Sequence, residues 1–347
     1  MNDLVTFFPD WRGDPYIEDL GAALAAEGWG FRLVGRKGLL LALLGAAVGH
    51  GTVHMHWYEG LTPKRKPIEG LLAWSFLPFF WLAGLRGRLV WTVHNVVPHD
   101  GFAPFVGIPF LRLLARSCSR ILVHFDHTRE QVELQYSVSG KTFVSPVASF
   151  GHAHGPPVDR AFARARISDL LADDQKLFVQ IGSLRRYKQP VITVLAFRDA
   201  APPSAMLLVA GPCPDQSIEA EVIHAAGDDP RITLRFGRLS DAELVEALCA
   251  ADWSICPYSK IENPGAVNLS VAYDCPVIAP DFPAVRALTA GNPAILYPAD
   301  GAPRPLLAAA MSRAATTPTG RVEHRKDQIS RKDQARLTVE MYRAARS

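Results

Sequence analysis

Two histidines, an asparagine and an aspartate crowd the end of one apolar run, Trp91-Thr92-Val93-His94-Asn95-Val96-Val97-Pro98-His99-Asp100. The apolar part reads as a buried strand. Titratable groups at a strand's carboxyl end are what an open α/β sheet offers to a substrate. Asp100 or a histidine there can take a proton from an attacking hydroxyl. The plainer reading is a well-bonded turn with Asp100 capping a helix. A second cluster is His54-Met55-His56-Trp57-Tyr58-Glu59. His54 and His56 alternate along a strand and share a face. A metal would need a third ligand, which the spacing does not supply. His56, Trp57 and Glu59 suit the lining of a cleft, with Trp57 as a sugar-stacking or apolar platform. Packing plus a surface glutamate is the alternative. A third segment, Asp10-Trp11-Arg12-Gly13-Asp14-Pro15-Tyr16, is a turn between strand and helix. Such a loop can bring Asp14 close to an acceptor or simply connect two elements.

Phosphate chemistry is written elsewhere. In Gln180-Ile181-Gly182-Ser183-Leu184-Arg185-Arg186-Tyr187-Lys188, Gly182 lets the backbone pass near a ligand. Arg185 and Lys188 set two cations beside it, suited to pyrophosphate oxygens. Further on, the strand Trp253-Ser254-Ile255-Cys256 runs into Pro257-Tyr258 and a polar loop holding Lys260, Glu262, Asn263, Pro264 and Gly265. A short apolar helix follows. Its N-terminus would present free N–H groups and a positive dipole end to a diphosphate. Absent are GxGxxG after the first strand, GxxxxGK[ST], the GxSxG elbow and a DxD pair. The dinucleotide fingerprint, the P-loop and the hydrolase elbow are therefore excluded.

These segments need strands and helices to hold them, and the chain supplies both in alternation. Strands are expected near Leu4–Phe8, Arg32–Val34, Val53–His56, Leu89–Val93, Arg120–Val123 and Thr142–Val144. A second set falls near Leu177–Ile181, Ala205–Ala210, Ile232–Phe236, Trp253–Cys256, Val277–Ala279 and Ile295–Tyr297. Helices lie between, including Tyr16–Glu27, Ile68–Leu85, Ser217–Ala226, Asp241–Ala250 and Gly265–Tyr273. Asp241 and Asp281 are placed as turn or cap residues. Alternation of this kind argues for parallel sheets with crossover helices. The Gly-, His- and Pro-rich stretch from Ala148 to Asp159 reads as a linker. At 347 residues the chain is long enough for two α/β domains. The expected division is 1–155, 156–325 and a C-terminal helix in 326–347 that packs back on the first domain.

A hydrophobic content of 48% with 20% charged residues describes a globular chain. A net charge of +3 and the lack of a basic-aromatic module exclude nucleic acid as the expected partner. The five cysteines form no CxxC pair and read as buried free thiols. No basic n-region precedes Leu4, so no signal peptide is expected. Gly38 to Gly49 and Leu71 to Leu85 are strongly apolar, yet shorter than the ~20 residues of a membrane span. They read as buried helices or as a surface that rests on a membrane, with Lys64-Arg65-Lys66, Arg86 and Arg88 facing anionic headgroups.

The order of these segments resembles the bacterial GT-B glycosyltransferases of exopolysaccharide assembly, in particular the β-mannosyltransferase group of xanthan synthesis. The likeness rests on DPY, HMHWYE, WTVHNVVPHD, IGSLRRYKQ and PYSKIENPGAVNLSVAYDCPVIAPD, and spans most of the chain. It implies a GT-B fold, two Rossmann-like domains facing across a cleft, with no metal and no cofactor. It implies a nucleotide diphosphate sugar, GDP- or UDP-linked, in the C-terminal domain. The acceptor it implies is a polyprenyl-diphosphate-linked oligosaccharide on the N-terminal one, at the cytoplasmic face of the cell membrane. Gly182, Arg185, Lys188, Tyr258, Glu262, Asn263 and Gly265 would bind donor. Asp14, His56, Trp57, Asn95 and His99 would bind acceptor. Asp100 is the expected base of an inverting transfer, with Glu59 and His94 as rivals. Retaining enzymes of the large related family carry E-x7-E, whereas here Ser270 stands eight residues after Glu262. A retaining transferase using Glu262, or a non-catalytic sugar-nucleotide-binding protein, are the alternatives.

Overall fold

The computed structural model describes residues 4–58, 61, 73–96, 104–148, 154–167, 175–260, 263–318 and 329–346. Glu59, His99, Asp100 and Glu262, and the basic run Lys64-Arg65-Lys66, lie outside the described residues. The chain forms two compact units, Met1–Ala148 with Ile329–Ser347, and Ser149–Gln328.

In the first unit, strands β1 (Leu4–Phe8), β2 (Gly30–Leu33), β3 (Thr52–Met55), β4 (Leu89–Thr92), β5 (Arg120–Val123) and β6 (Thr142–Val144) make one sheet in the order β2-β1-β3-β4-β5-β6. Every pairing is parallel. The central strands are buried on both faces, which is why β3 and β4 read as continuous rather than alternating patterns. Helices α1 (Pro15–Ala26), α2 (Arg36–Ala47), α3 (Leu77–Leu85), α4 (Pro104–Ser117) and α5 (Asp126–Tyr136) follow successive strands. Helices α2 to α5 pack in sequence, one against the next. Between them and the sheet lies a core that includes Trp91, Tyr58, Phe80, Phe110 and Tyr136. The last helix, α13 (Arg331–Arg346), packs on α1.

The second unit repeats the plan. Strands β7 (Lys176–Ile181), β8 (Ala205–Gly211), β9 (Ile232–Phe236), β10 (Trp253–Ile255), β11 (Val277–Pro280) and β12 (Ala294–Tyr297) run in the order β12-β11-β10-β7-β8-β9. Its helices are α6 (Arg160–Ile167), α7 (Pro190–Ala200), α8 (Gln216–Ala226), α9 (Asp241–Ala250), α10 (Gly265–Ala272), α11 (Pro283–Thr289) and α12 (Pro303–Thr316). Counted from β7 the strand order is that of a doubly wound sheet, which reverses between β7 and β10.

Local differences from the sequence reading have plain causes. His154 bonds Asp241 at 2.8 Å and the Tyr273 hydroxyl donates to the Gly155 carbonyl at 2.7 Å, so the chain from His154 packs with the second unit rather than serving as free linker. Ser240, not Asp241, caps α9. It forms a capping box with Glu243, whose carboxylate accepts from the Ser240 N–H at 2.8 Å. Of the helix expected over 68–85, the described element is Leu77–Leu85, with Pro78 in its first turn. Helices α2 and α3 are each buried along one side only, so neither is a fully enclosed helix.

Candidate functional site

The carboxyl ends of β7, β8 and β9 are closed by Gly182, Gly211 and Gly237, all with positive φ. A side chain on Gly211 would overlap the Gly182 backbone, so the ends of β7 and β8 meet at a distance only glycine allows. The Gly182 N–H donates to the Ala210 carbonyl at 3.0 Å and the Leu184 N–H to Pro212 at 2.8 Å, which fixes the loop leaving β7. That loop winds into a short 3-10 turn, Arg186–Lys188, held by the Gln180 amide donating to the Lys188 carbonyl at 2.7 Å.

The turn sorts its three cations. Arg186 points to Glu221 at 2.8 Å and is a solvated surface pair. Arg185 is exposed, and Lys188 is half-buried. The Lys188 Nζ lies 3.6 Å from where a Gly182 side chain would start. Among the described residues no carboxylate is within ion-pair distance of Lys188. Burial pulls its ammonium below the ordinary lysine value, and Arg185 adds to that shift. A desolvated cation beside a second cation over a side-chain-free backbone is an arrangement that gains from an anion.

The neighbouring strand across the switch point completes the floor. The Tyr187 and Tyr258 rings stack at 6.2 Å, and the Ser259 N–H donates to the Tyr187 carbonyl at 2.8 Å. Cys256 is buried beneath, its thiol pushed up to about 11 by burial, and its charge couples to Lys188. Helix α10 then begins at Gly265, with no described atom within 4 Å of where a side chain on Gly265 would start. Asn263 precedes it, its carbonyl accepting from the Gly265 N–H at 3.0 Å. The Ala266 backbone faces the Tyr258 hydroxyl. Ser270 is fully buried and faces inward. Its Oγ lies 2.7 Å from both the Ala266 carbonyl oxygen and Ser254 Oγ. The position eight residues after Glu262 therefore packs on β10.

The first unit gathers a different set at the ends of β1, β3, β4 and β5. His54 Nδ1 is 2.6 Å from the Tyr342 hydroxyl of α13, and its Nε2 is 2.7 Å from Thr92 Oγ1. His56 Nδ1 is 3.4 Å from His94 Nε2. His124 Nδ1 contacts the Ser145 carbonyl at 2.8 Å and so carries a proton there. The Tyr16 ring meets His56, His94 and His124 edge-on. Outward from these, Trp11, Trp57 and His94 form a column: Trp11 stacks on Trp57 at 4.4 Å, and Trp57 on His94 at 4.2 Å.

Burial holds all four imidazoles neutral. It drives His54 down to about 3 and His124 to about 4, and takes His56 and His94 well below the usual value. His54, His94 and His124 reinforce the shift on His56, and His124 and His54 that on His94. No group of three potential ligands among the described residues is placed to hold a metal ion. Asn95 is half-buried beside His94. The Asp14 carboxylate caps α1, accepting from Tyr16 N–H at 3.1 Å and Ile17 N–H at 3.2 Å. Of the residues read from the sequence, His56, Trp57 and His94 come together here, and Gly182, Lys188 and Tyr258 do so in the second unit.

His124 and Tyr342 did not stand out in the sequence. His124 had a signal: Thr92 pairs with Leu122, so two residues further His94 and His124 come level on adjacent strands. Tyr342 had none, because its helix returns from the far end of the chain.

No family model matches the chain, and no curated protein does. Solved structures match over nearly its whole length. One is sucrose-phosphate synthase from Thermosynechococcus elongatus, at 18% identity and TM-score 0.67, covering 99% of this chain and 95% of that one. Another is Anabaena HepE in complex with UDP, at 11% identity and TM-score 0.69, covering 99% and 100%. A third is WaaG, a glycosyltransferase involved in lipopolysaccharide biosynthesis, at 12% identity and TM-score 0.62, covering 100% and 94%. With the two doubly wound sheets, these similarities define the fold as GT-B, as the sequence resemblance implies. They do not narrow the likeness to the xanthan group.

Proposed function

We propose that this chain is a glycosyltransferase that moves a hexosyl unit from a nucleotide diphosphate sugar to a lipid-linked oligosaccharide in exopolysaccharide assembly. The observation that carries the reading is Lys188, a half-buried ammonium over Gly182 with Arg185 beside it, at the switch point of the second sheet. A leaving diphosphate needs such neutralisation, and the first turn of α10 adds N–H groups. HepE has been solved with UDP and with UDP-glucose, which favours a UDP-linked donor over a GDP-linked one. The first unit supplies the acceptor side. Trp11 and His94 cover both ring faces of Trp57, so the sugar platform moves from Trp57 to Trp11 at the exposed end of the column, with His56 and Asn95 as polar contacts.

The transfer is inverting in this reading. In support of it, Ser270, at the position of the second acid of the retaining pattern, is buried against Ser254. The base is Asp100, with Glu59 as the second candidate. His94 is the weaker one, because burial opposes the imidazolium it would have to form. Neither a metal nor a cofactor enters the scheme. The acceptor places the enzyme at the cytoplasmic face of the cell membrane.

The test is transfer of labelled sugar from a panel of UDP- and GDP-sugars to membrane-extracted lipid-linked oligosaccharide, with the product anomer assigned by NMR. Inverted product with chelator present supports the reading. Retained configuration would replace the mechanism with one using Glu262. Nucleotide-sugar binding without product would leave a non-catalytic binding protein.

A further inference from the structure

Helix α2 exposes Lys37, Leu41, Leu44 and Val48, residues spaced four, three and four apart along one side. Its buried residues, Leu39, Ala42, Leu43 and Ala46, occupy the opposite side. Leu41 is 70% exposed and Val48 71%. The adjacent α3 does the same with Trp81, Leu82 and Leu85, which are 56%, 41% and 64% exposed. The two helices pack against each other, and right-handed crossovers from β2 to β3 and from β3 to β4 set both on one face of the sheet. The apolar stripes therefore lie on neighbouring ridges. Soluble surfaces scatter such residues singly, and a continuous apolar band marks something that covers it.

Charge indicates what covers it. Arg36 and Lys37 open α2, and Arg86 follows α3. No acidic residue occurs between Arg36 and Tyr58, or between positions 73 and 96. Between α2 and the chain just before α3 is a cavity of about 400 Å³, lined by Arg36, Lys37, Leu40, Leu61, Ala73 and Phe76. It has apolar walls with two cations among its lining. A protein partner would need acidic groups and apolar side chains in fixed register with this band. A bilayer with anionic headgroups offers both without register. Among the described residues no helix is long and apolar enough to cross a membrane, so the contact is one of a helix pair lying in the interface.

We infer that the α2–α3 face docks onto an anionic lipid bilayer, with Leu41, Val48, Trp81 and Leu85 entering the headgroup–acyl boundary and Lys37 and Arg86 meeting phosphates. The inference stands on the first unit's surface and is independent of the transferase reading. It names the surface and the lipid charge that peripheral membrane contact would use.

The test is sedimentation of the full chain with vesicles of phosphatidylglycerol mixed with phosphatidylcholine, compared with phosphatidylcholine alone. The expected result is pelleting with the anionic vesicles, weakened by salt, as screening shortens to about 3 Å at 1 M. Leu41→Glu and Trp81→Glu should each cut binding by roughly tenfold or more, since a charge replaces a buried apolar group. Both positions are exposed, and an unchanged melting temperature and unchanged nucleotide-sugar binding would show the fold and donor unit intact. Brominated lipid should quench wild-type tryptophan emission more than that of Trp81→Phe, a variant that keeps the surface apolar. A chain that stays in the supernatant with both vesicle types overturns the inference. So would a dimer in analytical ultracentrifugation that Leu41→Glu splits, because the band would then be covered by a second copy.

Discussion

At the carboxyl edge of the first sheet, buried imidazole and aromatic rings pack on one another, with His56 Nε2 and His124 Nε2 unmet by any described group. His54 holds Tyr342 and Thr92, His56 faces His94, and rings close over them. At the matching edge of the second sheet, Gly182 and Gly265 withhold side chains where Lys188 and the start of α10 come forward. The topology is nearly the same, and the chemistry is opposed. One edge is neutral and aromatic, suited to a polyol with apolar faces. The other is cationic and lined by backbone, suited to phosphate. A doubly wound sheet fixes where a ligand lies but not what it is.

Substitutions at five positions and one titration would break or sharpen that contrast. The largest effect is expected from Ser270→Glu. If the second edge lacked a ribose-binding acid merely by substitution, this change would restore one and tighten donor binding. The packed position requires the reverse, a loss of at least ~3 kcal/mol from an uncompensated buried charge. Urea unfolding with and without UDP decides between them. Next comes Lys188→Ala, which should weaken UDP binding by roughly 10- to 100-fold, the worth of a charge-assisted bond. Arg186→Ala, cutting only the Glu221 pair, should change it little. Isothermal titration of both variants separates the cation that faces the ligand from the one that faces solvent.

Acidification tests the first edge. In the unfolded chain each histidine binds a proton near the ordinary value of ~6.5. In the folded unit His54 does so only near 3 and His124 near 4. Below about pH 6.5 the unfolded state therefore binds more protons, and stability falls as pH drops towards the folded values. Each histidine contributes up to ~1.4 kcal/mol per pH unit across that window. A urea midpoint that is flat from pH 7 to about pH 4 would mean the imidazoles reach solvent. Tyr342→Phe should destabilise by ~1 kcal/mol through the lost bond to His54, read as a lowered melting temperature. Asp14 comes last. Asp14→Ala removes the α1 cap and should cost about 1 kcal/mol, while Asp14→Asn keeps most of it. A raised acceptor KM in Asp14→Asn with normal stability would add a binding role to the cap.

Much of the contrast was legible in the chain itself. The twelve described strands are marked by short apolar runs rich in β-branched and aromatic residues, and each appears within a residue or two of its expected span. Gly182, Lys188 and Gly265 were readable because glycine and cations next to strand ends have few structural reasons to be there. The roles inside the first unit were harder. An N-cap and an acceptor contact call for the same aspartate, so Asp14 could not be sorted by type. Ser240 and Asp241 both suit a cap, and only the 2.8 Å bond from the Ser240 N–H to Glu243 separates them. The outward stripes of α2 and α3 are invisible in composition, because a helix apolar all round and one apolar outward read alike until its buried side is known.

The return of α13 to the first unit has a consequence for how the molecule comes to exist. The second unit is an insertion within the first, flanked by Ala148 on one side and Ile329 on the other. During synthesis the sheet around His54 emerges early, yet Tyr342 and Arg346, which close over His54 and Thr52, emerge only after the whole second unit. The second unit is continuous and can be complete while the first still lacks a wall. Order of manufacture thus makes the histidine and aromatic cluster of the first unit wait for α13.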